Sequence, residues 1–332
     1  MIPPESHALF RDLCASSQRF VLTTHMHPDG DALGSQFGLA RFLLSQGKQL
    51  RIVNQDPTPE LLRFLEDEAY PVETYDPETH DQLLHDSDLV VLVDNAAPDR
   101  MGRMESIMLA VSEHTLCIDH HPSRETPWSR QILDEDACAT AIMIYELVRA
   151  SGFTLDSRAA EAIYVGLATD TGFFRFNSAD ARAYSIAAKL LRLGADPAKV
   201  YRAIYERNSL AFTQLLGHAL AGVHLVGRGK IACVRVTNEL IERLHAADVD
   251  TSEITTALLA MDGISVALLF RELSDKQVKV SLRSKGELDV HSLAAEYGGG
   301  GHRNASGIVM DGELDAVAQR ITDRATALLT SP

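Results

Sequence analysis

The chain has 332 residues, of which 45% are hydrophobic and 23% are charged, and its formal net charge is −15. This length allows two domains with separate cores, and the composition is typical of globular proteins. The acidic balance argues against long nucleic acid as a partner, since that requires a broad basic surface, and no apolar run approaches the roughly 20 residues that cross a membrane.

The first half of the sequence alternates between short strand-like runs and helical periodicity. Such alternation predicts an α/β fold with a mostly parallel sheet covered by helices on both faces. The run LVVLV at residues 89–93 is continuously apolar, as expected of a central strand. We place this N-terminal domain at residues 1–190. Its predicted strands are 19–23, 49–54, 88–93 and 115–118, and its predicted helices are 32–46, 58–65, 137–150 and 156–168.

A helical stretch and a second set of strands follow. Apolar residues recur at helical spacing from residue 179 to about residue 221. We place a helical connector at 191–221, although the earlier half of the stretch could equally supply helices to the first core. Residues 222–332 are predicted to form a smaller α+β C-terminal domain. Its predicted strands are 231–236, 265–271, 278–283 and 308–310, and its predicted helices are 238–244, 290–296 and 314–328.

The segment HMHPDGDA, residues 25–32, places three potential ligands of a divalent cation directly after the first predicted strand. His25, Asp29 and Asp31 carry lone pairs, and Gly30 lets the backbone turn between the two carboxylates. Acidic and imidazole groups this close would repel one another or stay unpaired without a cation. The segment therefore predicts a metal site.

Three further side chains are expected to join this site. Asp94 follows the strand at 89–93 and His120 follows the strand at 115–118, and the carboxyl ends of parallel strands meet at one edge of a sheet. Asp170 lies in GLATDTG, after a predicted helix. Taken singly, Asp94 could cap a helix and Asp170 could form a turn, but their convergence with the first segment favours a role as ligands.

The number of donors indicates two ions bridged by Asp94. Two divalent cations roughly 3.5–4 Å apart suit in-line displacement at phosphorus. Carboxylate and imidazole ligands without sulfur favour manganese, Mn2+, over structural zinc. The predicted ligands of one ion are His25, Asp29 and Asp94, and those of the other are Asp31, Asp94, His120 and Asp170.

A second functional segment lies near the C-terminus. Four consecutive glycines precede His302 and Arg303, so backbone N–H groups and two side chains could approach an anion closely. Arg283, at the end of a predicted strand, could add a bidentate phosphate contact. A glycine run is more commonly a flexible turn, but the adjoining His-Arg pair favours phosphate binding.

Cysteine usage and the N-terminus bear on the compartment. The four cysteines are scattered and form no CxxC pair, which is typical of buried thiols in a reducing environment. The N-terminus lacks a basic segment followed by an apolar one. We therefore expect a cytoplasmic protein without a membrane partner.

Five segments resemble the motifs of the DHH phosphoesterase family, and they occur in the family's order. The match spans nearly the whole chain, and the set of five is far more specific than any one of them. The resemblance is strongest to the nanoRNase and pAp phosphatase branch, whose DHH domain and DHH-associated domain face each other across a cleft. The segments are HxxPDGDA at 25–32, VDN at 93–95, DHH at 119–121, TDTG at 169–172 and GGGGHRNASG at 298–307.

This resemblance implies an enzyme that hydrolyses phosphate esters at the end of short substrates. The expected reactions are cleavage of very short oligonucleotides (nanoRNA) to mononucleotides and conversion of pAp to AMP and phosphate. A phosphodiesterase for cyclic di-AMP or linear pApA is the alternative, since no residue separates the two. A non-catalytic nucleotide sensor would tolerate lost ligands, yet all six ligand positions are filled. The resemblance makes a homodimer plausible, although no residue requires one.

The resemblance also implies roles for individual residues. The six ligand candidates match the family's ligands to two manganese ions, and His121 matches the catalytic histidine that faces the scissile phosphate. Asp119 is expected to orient an imidazole. His27 stands where the family often carries Asn. The residues that match the substrate-binding part of the second domain are Arg283, Gly299, Gly300, Gly301, His302 and Arg303.

Overall fold

The computed structural model describes residues 2–122, 126–274 and 276–329. The chain divides into two compact units, Met1–Arg207 and Asn208–Pro332. The stretch predicted as a connector, 191–221, is divided between them. Val200 is buried in a core of the first unit, whereas Leu215 and Ala219 are buried in a core of the second. The domain limits at 190 and 221 stay predictions.

The first unit confirms the predicted α/β fold. Its described strands form one six-stranded sheet in which every neighbouring pair is parallel. The strands are β1 (Arg19–Thr23), β2 (Gln49–Asn54), β3 (Val72–Thr74), β4 (Leu89–Val93), β5 (Thr115–Asp119) and β6 (Arg130–Leu133). Their order across the sheet is β3-β2-β1-β4-β5-β6.

Helices cover both faces of this sheet. Three segments are 3-10 helices, at Glu60–Leu65, Pro98–Met104 and Ser112–His114. The α-helices are α1 (Pro4–Ser16), α2 (Gly30–Ser45), α3 (Pro77–Asp86), α4 (Glu105–Ala110), α5 (Thr140–Ala150), α6 (Ser157–Asp170), α7 (Ala181–Arg192) and α8 (Pro197–Tyr205).

The prediction missed several elements, among them the helices α1 and α3 and both edge strands. The predicted helix at 58–65 is a 3-10 helix that begins at Glu60, after Pro59. Strands β3 and β6 were not predicted because they are three and four residues long, lie at the two sheet edges and are only partly buried. Such strands lack the continuous apolar signal of a central strand.

Strand β4 sits at the centre of two cores. All five of its residues are buried, as the sequence predicted. Val91 and Val93 point into a core shared with α2, α5 and α6, whereas Val90 and Leu92 point into a second core on the other face. This alternation follows from the two-residue period of a strand, and it fixes the position of Asp94, which comes next in the chain.

Helices α2 and α6 pack with unusually close backbones. A Cβ atom added at Gly34 would overlap the backbone carbonyl of Ala162. A Cβ atom at Gly166 would meet Ala141 Cβ at 2.5 Å and Asp31 Oδ1 at 2.8 Å. Glycine at these two positions therefore lets α2, α5 and α6 converge, and this convergence brings the start of α2 to the end of α6.

The second unit confirms the predicted α+β fold. Among the described residues its sheet has the order β11-β12-β10-β9-β8-β7, and all pairs are antiparallel except β8 with β9. The strands are β7 (His224–Val226), β8 (Ile231–Val236), β9 (Val266–Ser274), β10 (Gln277–Ser284), β11 (Gly300–His302) and β12 (Ala305–Asp311). The helices are α9 (Leu210–Ala221), α10 (Asn238–Arg243), α11 (Ser252–Leu259), α12 (Val290–Ala295) and α13 (Leu314–Leu328).

This sheet also separates two cores. Leu268 and Phe270 of β9 pack in a core with α12 and α13, whereas Ala267 and Leu269 pack in a core with α9, α10 and α11. None of the helices in the described residues is both long enough and apolar enough to cross a membrane.

The close contact of α2 with α6 can be tested by adding one methyl group. Gly34→Ala should lower the free energy of unfolding by about 1–3 kcal/mol, because overpacking against a backbone carbonyl cannot be relieved by a rotamer change. Gly217→Ala is the control, since a Cβ there meets no atom within 4 Å. It should stabilise α9 by about 1 kcal/mol. Urea unfolding followed by circular dichroism measures both, and an unaffected Gly34→Ala protein would contradict the packing argument.

Candidate metal centre and active site

The carboxyl ends of three neighbouring strands meet at one point of the first sheet. Strand β1 has β2 on one side and β4 on the other, and β4 pairs in turn with β5. His25 follows β1, Asp94 follows β4, and His120 follows β5. The backbone N–H of Asp94 donates to Ile118 O at 2.9 Å, which joins the ends of β4 and β5. The structure thus brings these three residues together, as expected of a parallel sheet.

Two aspartates at the start of α2 are held by helix N-termini. Asp29 caps α2, and its Oδ1 accepts the backbone N–H groups of Asp31 (3.0 Å) and Ala32 (3.1 Å). Asp31 is buried, and its two oxygens accept the N–H groups of Thr140 (2.6 Å) and Ala141 (2.9 Å) at the start of α5. Free N–H groups at a helix N-terminus stabilise an anion. Sequence reasoning missed Thr140 and Ala141, since backbone donors leave no motif.

Asp94 is buried in an uncommon backbone conformation. Its φ is 59°, in the left-handed region that few non-glycine residues adopt. The Thr140 hydroxyl donates to Asp94 Oδ1 at 2.9 Å. Burial, followed by the charges of nearby carboxylates, raises the pKa of Asp31 and of Asp94 well above the ordinary value. The protein therefore concentrates negative charge here without supplying enough positive charge to balance it.

Two imidazoles face these carboxylates with free nitrogens. His25 Nδ1 lies 2.7 Å from Met26 O, and His120 Nδ1 lies 2.9 Å from Ala137 O. A carbonyl partner places the proton on Nδ1 and leaves the Nε2 lone pair free. Both Nε2 atoms are buried, and neither has a hydrogen-bond partner among the described residues. Such unpartnered atoms in a polar site call for a further ligand.

The distances define a small space bounded by oxygen and nitrogen atoms. His120 Nε2 lies 3.5 Å from Asp170 Oδ2, 3.7 Å from Asp94 Oδ1 and 3.8 Å from Asp31 Oδ2. His25 Nε2 lies 3.5 Å from Asp94 Oδ2. These separations are too long for hydrogen bonds, and they leave room for a cation between the donors.

The donors form two compact groups. His25, Asp29 and Asp94 offer ligand atoms within 4.8 Å of one another, and so do Asp31, His120 and Asp170. Asp94 also approaches the second group, and a third, overlapping set joins it to His120 and His121. Carboxylates and imidazoles are suitable ligands for a divalent cation such as manganese. The residues therefore fit two divalent cations.

His121 lies beside this cluster and is more accessible. Its Nδ1 donates to Asp119 Oδ1 at 2.8 Å, and its backbone N–H donates to the same oxygen at 3.1 Å. The hydrogen bond with Asp119 raises the pKa of His121 to about 9. The His121 side chain is 44% exposed, whereas that of Asp119 is buried. Asp119 thus orients the ring and leaves Nε2 available to another molecule.

The segment after Asp170 turns sharply and exposes an aromatic ring. Gly172, Phe173 and Phe174 all have positive φ angles, of 56°, 54° and 63°. The turn brings the ring of Phe176 against Gly172, so close that a Cβ atom at Gly172 would lie 2.6 Å from it. Phe176 remains 55% exposed. This ring was not predicted as part of the site, although it follows shortly after the TDTG motif.

In the second unit, the glycine-rich segment forms a hairpin. Strand β11 pairs with β12, and His302 lies opposite Ala305. On the other side of β12, Arg283 of β10 lies opposite the same alanine. Residues directly opposite in antiparallel strands point to the same face. Arg283 and His302 therefore flank Ala305 on one face, two strand spacings apart, which is about 10 Å.

Packing explains two of the four glycines. A Cβ atom at Gly299 would overlap the carbonyl of Gly307, and one at Gly301 would overlap the carbonyl of Ala305. At Gly300, in contrast, a Cβ atom would meet nothing within 4 Å. The glycine run was predicted to bind an anion or to form a flexible turn, and the structure adds that Gly299 and Gly301 are needed for packing of the hairpin.

Arg303 is tied to the surface beside this hairpin. Its Nη2 lies 2.7 Å from both Glu287 O and Glu287 Oε2. Asn304 anchors the turn, since its Nδ2 donates to Ser284 Oγ, Gly286 O and Leu288 O. The turn is therefore held in one conformation, and Arg303 lies at its exposed tip.

Comparison with known proteins identifies the class to which this site belongs. Residues 19–167 match the DHH family, N-terminal domain, and residues 234–329 match the DHHA1 domain. A relative with more than 30% identity covers most of the chain. The chain therefore belongs to the DHH family of phosphoesterases.

Individual relatives are more specific. A bifunctional oligoribonuclease and PAP phosphatase from Thermus thermophilus is 32% identical over 313 residues, which are 93% of this chain and 90% of the relative. A cyclic-di-AMP phosphodiesterase from Geobacillus thermodenitrificans is 26% identical, over 96% of this chain and 48% of the relative. The crystal structure of an exopolyphosphatase-related protein from Bacteroides fragilis has a TM-score of 0.87 and 28% identity, and the match covers 98% of this chain and 97% of that one.

Manganese should stabilise the folded chain, because cations offset the repulsion among the buried carboxylates. One ion at 100 times its Kd contributes about 2.7 kcal/mol, which appears as a higher midpoint of thermal unfolding. Asp94→Asn should abolish most of this shift. Asn keeps an oxygen for Thr140 and tolerates positive φ, so the metal-free variant should unfold no earlier than the metal-free wild type.

The exposed Asp12→Asn is the matched control, since it removes the same charge from a side chain that is 74% exposed on α1. It should retain the full manganese shift. A manganese shift in Asp94→Asn equal to that of the wild type would contradict the role of Asp94 as a shared ligand.

Proposed function

We propose that this phosphoesterase is manganese-dependent and hydrolyses very short oligonucleotides to mononucleotides and pAp to AMP and phosphate. The observation that carries the proposal is a cluster of four carboxylates, of which Asp31 and Asp94 are buried, around two Nε2 atoms that have no hydrogen-bond partner among the described residues. The bifunctional relative from Thermus thermophilus, which aligns with nearly the whole chain, supports the choice of substrates.

In this proposal six side chains hold two manganese ions. When bound, the ions lower the pKa of water and neutralise charge on the phosphoryl oxygens. Thr140, at the start of α5, orients two of these side chains. Its hydroxyl donates a hydrogen bond to Asp94, and its backbone N–H donates to Asp31. The six ligands are His25, Asp29, Asp31, Asp94, His120 and Asp170.

His121 would act on the substrate directly. Hydrolysis adds the water oxygen to phosphorus and breaks the ester P–O bond, so the leaving oxygen must receive a proton. Among the described residues His121 Nε2 has no hydrogen-bond partner, and the ring is fixed by Asp119 and partly exposed. We propose that protonated His121 donates from Nε2 to the leaving oxygen or to a phosphoryl oxygen, a role typical of a positioned imidazole.

The surroundings of Asp170 favour a nucleotide over a bare phosphate. Arg175 Nε donates to Gly172 O at 2.8 Å, and its guanidinium carbon lies 5.9 Å from the ring centre of Phe176. An exposed ring can stack on a base without reading its identity, and a nearby guanidinium can contact phosphate. Inorganic pyrophosphate would make no use of such a ring.

The hairpin of the second unit would bind another phosphate of the substrate. Arg283 and His302 flank Ala305 on one face. At Gly300 the space beside the backbone is open, so a ligand can approach it. Arg303 would add a donor from the exposed tip. Fixed positive groups of this kind suit the terminal phosphate of a short substrate. The substrate-binding residues proposed here are Arg283, Gly299, Gly300, Gly301, His302 and Arg303.

The decisive experiment offers the full chain with manganese a panel of substrates. These are pAp, an RNA dinucleotide, linear pApA, cyclic di-AMP and inorganic pyrophosphate, each followed by chromatography of the products. We expect the highest kcat/KM with pAp and the dinucleotide. Preference for cyclic di-AMP would support the phosphodiesterase alternative suggested by the second relative, and no product from any substrate would overturn the proposal.

Phe176→Leu should raise KM for the dinucleotide, since leucine keeps an apolar side chain but loses the stacking face. Stacking of a base on an aromatic ring contributes about 1–3 kcal/mol, so KM should rise about 5- to 150-fold with a smaller change in kcat. Phe176→Tyr is the control and should retain the wild-type KM. Equal KM values for the leucine and tyrosine variants would exclude stacking at this ring.

Gly300→Ala tests the hairpin without disturbing its fold, because the added methyl group meets no atom within 4 Å. If a phosphate approaches this backbone, the methyl group should raise KM about tenfold or more, the loss of about one charged hydrogen bond. The thermal midpoint should stay the same. Unchanged steady-state kinetics with pAp and with the dinucleotide would remove Gly300 from the proposed binding site.

A further inference from the structure

A cavity lies in the first unit, away from the metal centre. It has a volume of about 660 Å3 and is bordered by α1, α5 and α7. Three cations line it: Arg149 in the last turn of α5, and Lys189 and Arg192 in the last turn of α7. The chain carries a net charge of −15, so three cations at one cavity run against its overall balance.

The carboxylate at this cavity is already neutralised. Glu146 is the acidic residue among the described lining residues, and both of its oxygens accept from Arg182, at 2.9 Å and 2.7 Å. Within the described part of the chain, Arg149, Lys189 and Arg192 have no carboxylate within 4.0 Å. These three cations are therefore not paired with a carboxylate.

Further groups suit a phosphate ester. Arg149 Nη1 donates to Phe153 O (2.9 Å) and Thr154 Oγ1 (3.2 Å), so its guanidinium is held in place. His7 Nδ1 is buried and has no hydrogen-bond partner among the residues that the structure describes. Leu193 adds half-buried apolar surface against which a ring can pack. A cavity of this size is in the usual range for small-molecule ligands, about 300–1,000 Å3.

A simpler explanation accounts for each cation but not for the set. Lysine and arginine in the last turn of a helix stabilise its C-terminal carbonyl groups, and this would hold for α5 and α7 separately. It requires neither that both helix ends face one cavity nor that Arg182 neutralises Glu146. It also leaves the buried His7 Nδ1 without a partner.

We propose that this cavity binds a phosphate ester of nucleotide size, separately from the substrate of the metal centre. The two sites lie at opposite ends of α5. Thr140 at its start holds Asp31 and Asp94, whereas Arg149 is nine residues further on, about 14 Å along the helix axis. Lys189, Arg192 and Arg149 would bind the phosphate, and the ring would pack against Leu193.

Amide hydrogen exchange of the full chain with manganese tests this, with AMP as the probe. AMP should protect residues 145–154 and 187–193 in a concentration-dependent manner. Inorganic phosphate should give weaker protection and adenosine none. Lys189→Gln with Arg192→Gln should raise the AMP concentration needed at least about tenfold, since two charged hydrogen bonds are lost. Protection of residues 24–31 would report AMP bound at the metal centre. The Lys189 and Arg192 substitutions should leave that protection unchanged.

The matched control is Lys199→Gln with Arg202→Gln on α8, which removes the same residue types at the same spacing outside the cavity. It should leave protection at the cavity unchanged. Absence of AMP-dependent protection at residues 145–154 and 187–193 in the wild type would overturn the proposal. So would protection that survives the Lys189 and Arg192 substitutions undiminished.

Discussion

The fold of the first unit buries acidic side chains without supplying enough positive charge to balance them. Asp31 and Asp94 are each 1% exposed, and their pKa values are raised by burial and by neighbouring carboxylates. The N–H groups of α5 and the Thr140 hydroxyl offset part of the cost. The carboxylate of Asp170 is destabilised for another reason, because Asp170 is the last residue of α6, where the helix dipole disfavours an anion. Bound divalent cations would offset both the repulsion among the buried carboxylates and the unfavourable dipole at Asp170.

Helix packing is what makes this concentration of charge geometrically attainable. Asp31 belongs to the start of α2 and Asp170 to the end of α6, so the two helices must approach closely for their side chains to meet. Gly34 and Gly166 permit that approach. The same contact lets the start of α5 reach Asp31. Residues without any functional group of their own thus decide whether the charged residues form a site.

The second unit shows how one segment can serve structure and binding together. The hairpin needs glycine at Gly299 and Gly301 because of backbone contacts with β12, while Gly300 is free of such contacts. The turn is anchored through Asn304. The glycine motif predicted to bind an anion is therefore also required for strand packing. Only the structure shows which glycines are needed for packing and which are free to serve binding.

The sequence by itself determined the fold class, the central strands and the six ligand candidates, since buried strands carry continuous apolar runs and parallel strands bring their carboxyl ends to one edge. It did not reveal β3 and β6, which are short and at the edges, and it predicted the helix at 58–65 without showing that it is a 3-10 helix. Nor did it reveal Thr140 and Ala141, because backbone donors carry no side-chain signal and a single threonine hydroxyl forms no motif. Packing between distant segments sets the distances among the candidate ligands. It also fixes the ring of His121 and places the ring of Phe176 beside Asp170. Only the tertiary structure could decide them.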